Sequence, residues 1–270
     1  MLKIIEDTSP TSCAPLAGQD LTVCYDHETI ISDLDISIPK SGFTAIIGPN
    51  GCGKSTLLHT LGRVLSPKSG TVLLSGENIR SKPTLDVARN LGLLPQMLIA
   101  PSGVTVRDLV ARGRYPHRKF MRSFTREDEK AVQYALEVAG LQELAERSVD
   151  TLSGGQRQRA WIAMVLAQDP ETLLLDEPTS YLDIAHQIDL LRLLRRLCDQ
   201  DQKSIVAVLH DLNQASRYAD FLFIMKAGRL IAAGKPADVL DREIARDVFG
   251  LDCVVIADPV AGTPMLVPAN

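Results

Sequence analysis

The sequence has no paired cysteines, no long apolar run and no dominant sign of charge. Its five cysteines, Cys13, Cys24, Cys52, Cys198 and Cys253, are odd in number, far apart and never in a CxxC pair. That spacing fits reduced thiols better than a disulfide framework. No apolar stretch approaches the roughly 18 residues that a membrane-spanning helix needs. The opening residues, MLKIIEDTSPTSC, turn acidic and polar too soon for a secretory signal, so a cytoplasmic protein is expected. With 33 acidic against 29 basic residues, the formal net charge is -4. A dedicated nucleic-acid binder carries a broad basic surface instead. No internal repeat or low-complexity tract interrupts the chain.

What is present is material for a core. The chain has 270 residues, 45% of them hydrophobic, which suits one large domain or two smaller ones. Short β-prone runs fall at 21–25, 34–38, 44–48 and 71–76, after a loose leader over 1–18. KSTLLHTLG predicts a helix over 54–62, with Leu57, Leu58 and Leu61 on one face and Gly62 as its stop. From about 104 to 160 the pattern is helical. There Thr125 and Asp128 stand at capping-box spacing before a stripe of Val132, Ala135, Leu136 and Ala139. Continuous apolar runs at 172–176, 204–210 and 221–225 read as strands buried on both faces. Between the first two, a helix is expected with Ile184, Ile188, Leu191, Leu194 and Cys198 on its apolar stripe. Strands alternating with helices imply an α/β sheet with a mainly parallel core, into which the helical stretch is inserted.

Three motifs carry chemistry. GPNGCGKS, residues 48–55, matches G-x-x-x-x-G-K-[ST] and lies between an expected strand and an expected helix. In the loop of Gly48, Pro49, Asn50, Gly51, Cys52 and Gly53, the glycines would let backbone N–H groups turn inward around phosphate oxygens, with Thr56 following in the helix. Lys54 would reach the terminal phosphates and Ser55 would ligate Mg²⁺. Cys52, beside a helix N-terminus, is expected to have a lowered thiol pKa. LLLDE, 173–177, delivers two carboxylates to a strand end, where open α/β sheets bind ligands. Asp176 suits the Mg²⁺ sphere, and Glu177 is placed to orient or deprotonate a water. TLSGGQRQR, 151–159, gives Ser153 as the cap of a second anion-binding helix end. One nucleotide needs only one phosphate cradle per chain. A second cradle therefore suggests a phosphate shared between two chains.

Taken together, LSGGQ, the P-loop and LLLDEPT resemble the ATPase subunit of an ATP-binding cassette transporter, in the right order and over about the whole chain. The resemblance implies a P-loop NTPase core of α/β class, combining a mainly parallel sheet with an N-terminal antiparallel β subdomain. An α-helical subdomain is inserted into it. The expected cassette spans 1–270, with its core at 19–96 and 160–235, the helical subdomain at 97–159 and a C-terminal extension at 236–270. By the same resemblance Tyr25 stacks on adenine, Gln96 senses Mg²⁺ and the attacking water, and His210 contacts the γ-phosphate. SYLD, ending at Asp183, communicates between sites. Two chains would pair head-to-tail, so that Ser153, Gly154, Gly155, Gln156 and Asp183 reach the nucleotide of the other chain. ATP and Mg²⁺ are the implied cofactors.

Further stretches, among them VTVRDLVARGRYPHR, LDIAHQIDLL and AVLHDLNQASRYAD, look like the ATPases of iron-chelate importers, especially the ferric-enterobactin type. Vitamin B12 and haem importers are similar and stay open as alternatives, as does a non-transport cassette ATPase. The implied partners are a membrane permease and, indirectly, a periplasmic or surface substrate-binding protein, with no nucleic acid. The implied location is the cytoplasmic face of the bacterial inner membrane. Tyr181 is bulky where the wider family often has a small residue. The basic stretch RGRYPHRKFMR, 112–122, falls in the helical insertion. It is expected to meet the permease, with the anionic membrane surface as a secondary contact and a solvated loop as the plain alternative.

Overall fold

The computed structural model describes residues 3–4, 14–25, 28–98, 101–118 and 124–269. Strand β1 is Lys3–Ile4, and β2 (Leu16–Tyr25) and β3 (Glu28–Ile38) form an antiparallel pair. β4 (Phe43–Ile47) runs into helix α1 (Lys54–Leu61). β5 (Ser69–Leu74), β6 (Glu77–Asn78), α2 (Thr84–Asn90) and β7 (Leu91–Leu94) follow. The helical stretch holds α3 (Val106–Ala111), a 3₁₀ segment (Arg112–His117), α4 (Arg126–Val138) and α5 (Gly154–Ala167). The chain then returns through β8 (Thr172–Leu175), α6 (Ile184–Asp201), β9 (Ser204–Val208), α7 (Leu212–Tyr218), β10 (Phe221–Lys226) and β11 (Arg229–Gly234). It finishes with α8 (Pro236–Val239), α9 (Arg242–Phe249), β12 (Cys253–Ala257) and β13 (Pro264–Pro268).

The main sheet has seven strands in the order β1-β11-β10-β4-β9-β8-β7, and only the β10–β11 pair is antiparallel. A second sheet, β3-β2-β5-β6, is wholly antiparallel. This is the expected α/β class, and the period of two explains how one sheet feeds two cores. On β4, Phe43, Ala45 and Ile47 face the side of the helical stretch, while Ile46 faces α1 and the antiparallel sheet. On β8, Leu173 and Leu175 face the first side and Leu174 the second. All three leucines are fully buried. Truncating one of them to alanine carries the usual core cost of about 2–5 kcal/mol.

Three expectations change. The leader is not loose up to 18, because Leu16 and Ala17 are buried in β2 and pair with both β3 and β5. An antiparallel pair needed no alternation signal there, since both faces of this segment are covered. Ile184 does not join the apolar stripe of α6. It is 72% exposed, whereas Leu190, Leu191, Leu193, Leu194, Leu197 and Cys198 are buried. The third change concerns the basic stretch. Arg114 is buried; its Nε donates to Asp128 Oδ1 at 2.9 Å and its Nη1 to Ala167 O at 2.8 Å. His117 Nε2 bonds Gln168 O at 2.8 Å. Both side chains tie the 3₁₀ segment to α4 and α5 rather than facing a partner. Arg112, Tyr115 and Arg118 remain exposed, and Lys119, Phe120 and Arg122 lie outside the described residues.

Thr125 and Asp128 do form the expected capping box at the start of α4. Burial pushes the Asp128 carboxyl up, but hydrogen bonds from Thr125 and Arg114 outweigh it and hold the pKa below the ordinary value. The contribution of this carboxylate to stability is therefore complete above the unfolded pKa of about 3.9. It is lost as the pH falls through the lowered folded value. Removing one partner of a buried ion pair leaves the other charge uncompensated. Arg114→Ala should lower unfolding stability by about 3–5 kcal/mol in a urea titration, and a change within experimental error would remove the pair from the list of stabilising contacts.

Candidate active site

β4 delivers the P-loop to one end of the main sheet. Gly48 sits at φ 158°, and a Cβ there would collide with the carbonyl oxygen of Met225 and lie 2.8 Å from Cys52 Sγ. Gly53 caps α1 at φ 101°, in the left-handed region. These two positions fold the loop so that its backbone curls around the start of α1. Asn50 and Gly51 are exposed at the tip, while Lys54 is 5% exposed. Its Nζ donates to Gly48 O at 2.9 Å and Pro49 O at 3.0 Å. Tyr25 ends β2 and is 48% exposed, and Thr56 lies in the first turn of α1.

The two carboxylates of the DE pair part company. Asp176, 2% exposed, turns toward α1. Its Oδ1 accepts from Ser55 Oγ at 2.8 Å, and His59 Nε2 lies 3.2 Å from its Oδ2. Ser55 and His59 are four residues apart and share one face of α1. Burial pushes the Asp176 carboxyl up despite the hydrogen bond from Ser55 and the charge of His59, so the protein alone under-compensates this charge. Among the described residues, no cluster of three or more His, Cys, Asp or Glu side chains forms a self-contained metal site. A hydroxyl and a carboxylate side by side fit Mg²⁺, which takes one or two protein oxygens and draws the rest from phosphate and water.

Glu177 turns the other way. Its φ of 48° lies in the left-handed region, a conformation costing about 1–3 kcal/mol in a non-glycine residue. There its Oε2 accepts from Gln96 Nε2 at 2.7 Å and Ser180 Oγ at 2.9 Å, and its Oε1 meets His210 Nε2 at 2.7 Å. Gln96 comes from the loop after β7, His210 from the loop after β9. Both strands flank the β8 end as the parallel register requires. Glu177, Gln96 and His210, far apart in sequence, thus form one constellation.

Ser153 caps α5, and Gln156 closes a capping box by accepting from Ser153 N at 3.0 Å. A Cβ at Gly154 would meet nothing within 4 Å, so this face of the helix start is open. Asp183 caps α6 by accepting from His186 N at 2.9 Å. Among the described residues, no hydrogen bond or ion pair joins 153–156 to the P-loop.

One expectation fails here. Cys52 is 4% exposed, and its burial pushes the thiol pKa up, overriding the nearby Lys54 charge. Brief maleimide treatment at pH 7 should label the partly exposed Cys24 well before Cys52, as read by peptide mass spectrometry. Early labelling at Cys52 would reverse that order. Sequence reasoning also passed over His59, gave Ser180 only as the first residue of SYLD without its bond to Glu177, and passed over His186. Each carries a helical or turn spacing to a motif residue: i+4 from Ser55, i+3 from Glu177 and i+3 from Asp183.

A cleft of about 580 Å³ lies away from this site, lined by Arg159, Arg192, Arg195 and Tyr218 among others, and no P-loop residue borders it. Among the described residues no helix is long and apolar enough to cross a membrane.

The comparisons with known proteins agree with the geometry. The family model described as "ABC transporter" matches residues 31–180. The chain is 52% identical to the "Ferric enterobactin transport ATP-binding protein FepC" of Escherichia coli (strain K12), over 95% of each chain. A structure described as "an inward-facing conformation of a putative metal-chelate type ABC transporter" matches with a TM-score of 0.82 and 29% identity, covering 95% of this chain and 97% of that one. The "dimeric structure of a post-hydrolysis state of the ATP-binding cassette MJ0796 bound to ADP and Pi" matches with a TM-score of 0.71 and 27% identity, over 82% of this chain and 98% of that one. With its P-loop, its DE pair at the end of β8 and its LSGGQ helix start, this chain belongs to the ABC transporter family as an ATP-hydrolysing subunit.

Proposed function

We propose that the protein energises import of a ferric siderophore through a partner membrane permease, from the cytoplasmic face of the inner membrane. The observation that carries this reading is identity with a ferric enterobactin transport subunit over nearly the full length of both chains. In this reading the chain is one cassette over 1–270. Its core covers 19–96 and 160–235, its helical subdomain 97–159 and its C-terminal extension 236–270. A substrate-binding protein outside the membrane hands the chelate to the permease.

Two copies pair head-to-tail, and each ATP sits between the P-loop of one copy and Ser153, Gly154, Gly155, Gln156 and Asp183 of the other. Such a two-fold pair is the commonest homo-oligomer. The 48–53 loop wraps the phosphates with the backbone N–H groups of its residues other than Pro49, Lys54 reaches the terminal ones and Tyr25 stacks on the base. Ser55 and Asp176, with Gln96, would hold Mg²⁺, which would supply positive charge to the phosphate oxygens. Glu177 orients the attacking water and takes its proton. Gln96 and His210 hold Glu177 until nucleotide arrives, and His210 then contacts the γ-phosphate. The second copy's contacts to that phosphate exist only in the closed pair, so its loss on hydrolysis reopens the dimer.

The exposed Arg112 and Arg118, with Tyr115 63% exposed between them and Arg118 5.7 Å from its ring centroid, form the docking part of the basic stretch. Charge reversal of Arg112 and Arg118 together should spare ATP hydrolysis by the detached subunit and weaken co-purification with the permease. Normal assembly would leave the stretch as a solvated loop. The reading as a whole is tested by uptake of iron from a panel of siderophores in a strain lacking this chain. A defect confined to vitamin B12 or haem would overturn it.

A further inference from the structure

Two helix N-termini meet in this fold, and one side chain joins them. α5 begins at Ser153–Gly154, and α6 begins at Asp183–Ile184. The ring of His186, in the first turn of α6, lies over Gly155 in the first turn of α5. A Cβ at position 155 would stand 2.6 Å from His186 Cδ2 and 2.9 Å from its Cγ. The same ring bonds Asp183 Oδ1 through Nδ1 at 2.7 Å, and that oxygen also takes the His186 backbone N–H. The contact on Gly155 contrasts with Gly154, where the surface is open. The helix start is thus covered on one side and bare on the side left for an anion. A neighbouring side chain supports the same arrangement. Gln187 Nε2 donates to Leu182 O at 2.9 Å, and its Oε1 accepts from Gln214 Nε2 at 2.8 Å, tying the 180–183 turn to α7 behind His210.

We propose that His186 is a positioning residue that locks the Gly154–Gly155 helix start and the Asp183 turn into one rigid block, which presents both to the nucleotide bound by a second copy. The ring acts in two ways. Its flat face fills the space above Gly155, which sets how closely α6 approaches α5. Its Nδ1 fixes the rotamer of Asp183, so the carboxylate is preset before the copies meet. Presetting lowers the ordering cost of association and so appears as affinity between copies rather than as affinity for ATP within one copy. Glycine at 155 is required because the ring occupies the place of any side chain there, which is a requirement distinct from phosphate approach at Gly154.

This inference rests on the head-to-tail reading above, and its test separates the two. In a Glu177→Gln background, ATP-driven dimerisation is measured by analytical ultracentrifugation, and ATP binding by the monomer is measured with a fluorescent ATP analogue. His186→Ala should weaken dimerisation by about tenfold, within the usual range of coupling between sites, and leave monomer affinity unchanged. His186→Asn places an amide N–H where Nδ1 stands but leaves Gly155 uncovered, and should recover part of the loss. Gly155→Ala should weaken dimerisation in the parent, because the methyl meets the ring. The further loss it causes in the His186→Ala chain, where the ring is gone, should be smaller than in the parent, and such non-additivity marks direct contact. If the parent dimerises and His186→Ala dimerises equally well, the inference falls alone. Equal loss of monomer ATP affinity, or strictly additive effects with Gly155→Ala, also overturns it. If the Glu177→Gln parent does not dimerise with ATP, the head-to-tail reading and the inference fall together.

Discussion

Glu177→Gln should slow ATP hydrolysis by a factor of about 10² or more, while ATP binding persists. The amide keeps the size of the carboxyl group, and Ser180 Oγ and His210 Nε2 still have an oxygen or nitrogen to meet at Oε2 and Oε1. What it loses is the ability to accept a proton from water. The P-loop, residues 48–56, and Asp176 make no hydrogen bond to the Glu177 side chain and stay intact. The variant should therefore accumulate as an ATP-bound dimer on size exclusion. Near-normal turnover would move the proton acceptor to another group, with His210 the first candidate because it is already in contact with Glu177.

Ser153→Arg should abolish hydrolysis while leaving ATP binding by the isolated monomer unchanged. Two effects combine. Arginine cannot cap α5, so the N–H of Gln156 loses its acceptor and the capping box opens. A bulky cation then stands at the open helix start beside Gly154, where the second copy's phosphate would approach. The cap alone is worth only about 0.5–2 kcal/mol, too little to unfold the chain, so the steric block dominates. Mixed with a Lys54→Ala chain, the variant should recover partial hydrolysis. The heterodimer has one doubly damaged site and one site with an intact P-loop and an intact LSGGQ. Loss of monomer ATP binding in Ser153→Arg would show that the serine serves its own chain's nucleotide.

Much of the site was legible because its signals are local. A P-loop must follow a strand and open a helix, and both neighbours read as such from residues 44–62. Ser153 announced its cap by its place just before the Gly154–Gly155 pair. The contacts that assemble these pieces were not legible from pattern. β7 is four residues long and buried between α5 and β8, too short for any periodicity to declare it, yet it is what brings Gln96 to Glu177. Cys52 shows the reverse failure. The helix N-terminus was read from sequence and does lower a thiol pKa, but burial beneath the loop is a three-dimensional quantity and it dominates. Arg114 misled for a similar reason. A basic residue among basic residues looks solvated until its partner Asp128, 14 residues away on another helix, is seen. The C-terminal hairpin of β12 and β13 gave only apolar runs broken by DPVAGTP. Its attachment to α7 comes from Asn213, which both donates to Leu266 O and accepts from Leu266 N.

The divergence of Asp176 and Glu177 at a single peptide unit has a genetic meaning. If Asp176 holds Mg²⁺ and Glu177 accepts the proton of water, as proposed, adjacent codons govern separable steps and their alleles should differ in dominance. A chain altered at Asp176 would then fail to retain nucleotide and be outcompeted for the closed pair by normal copies, which would make the allele recessive. A chain carrying Gln at 177 would retain nucleotide, enter mixed pairs and not release them. One such allele beside a wild-type copy would sequester permeases and starve the cell of iron, so neighbouring codons within six nucleotides of the gene would yield a silent carrier in one case and a dominant poison in the other.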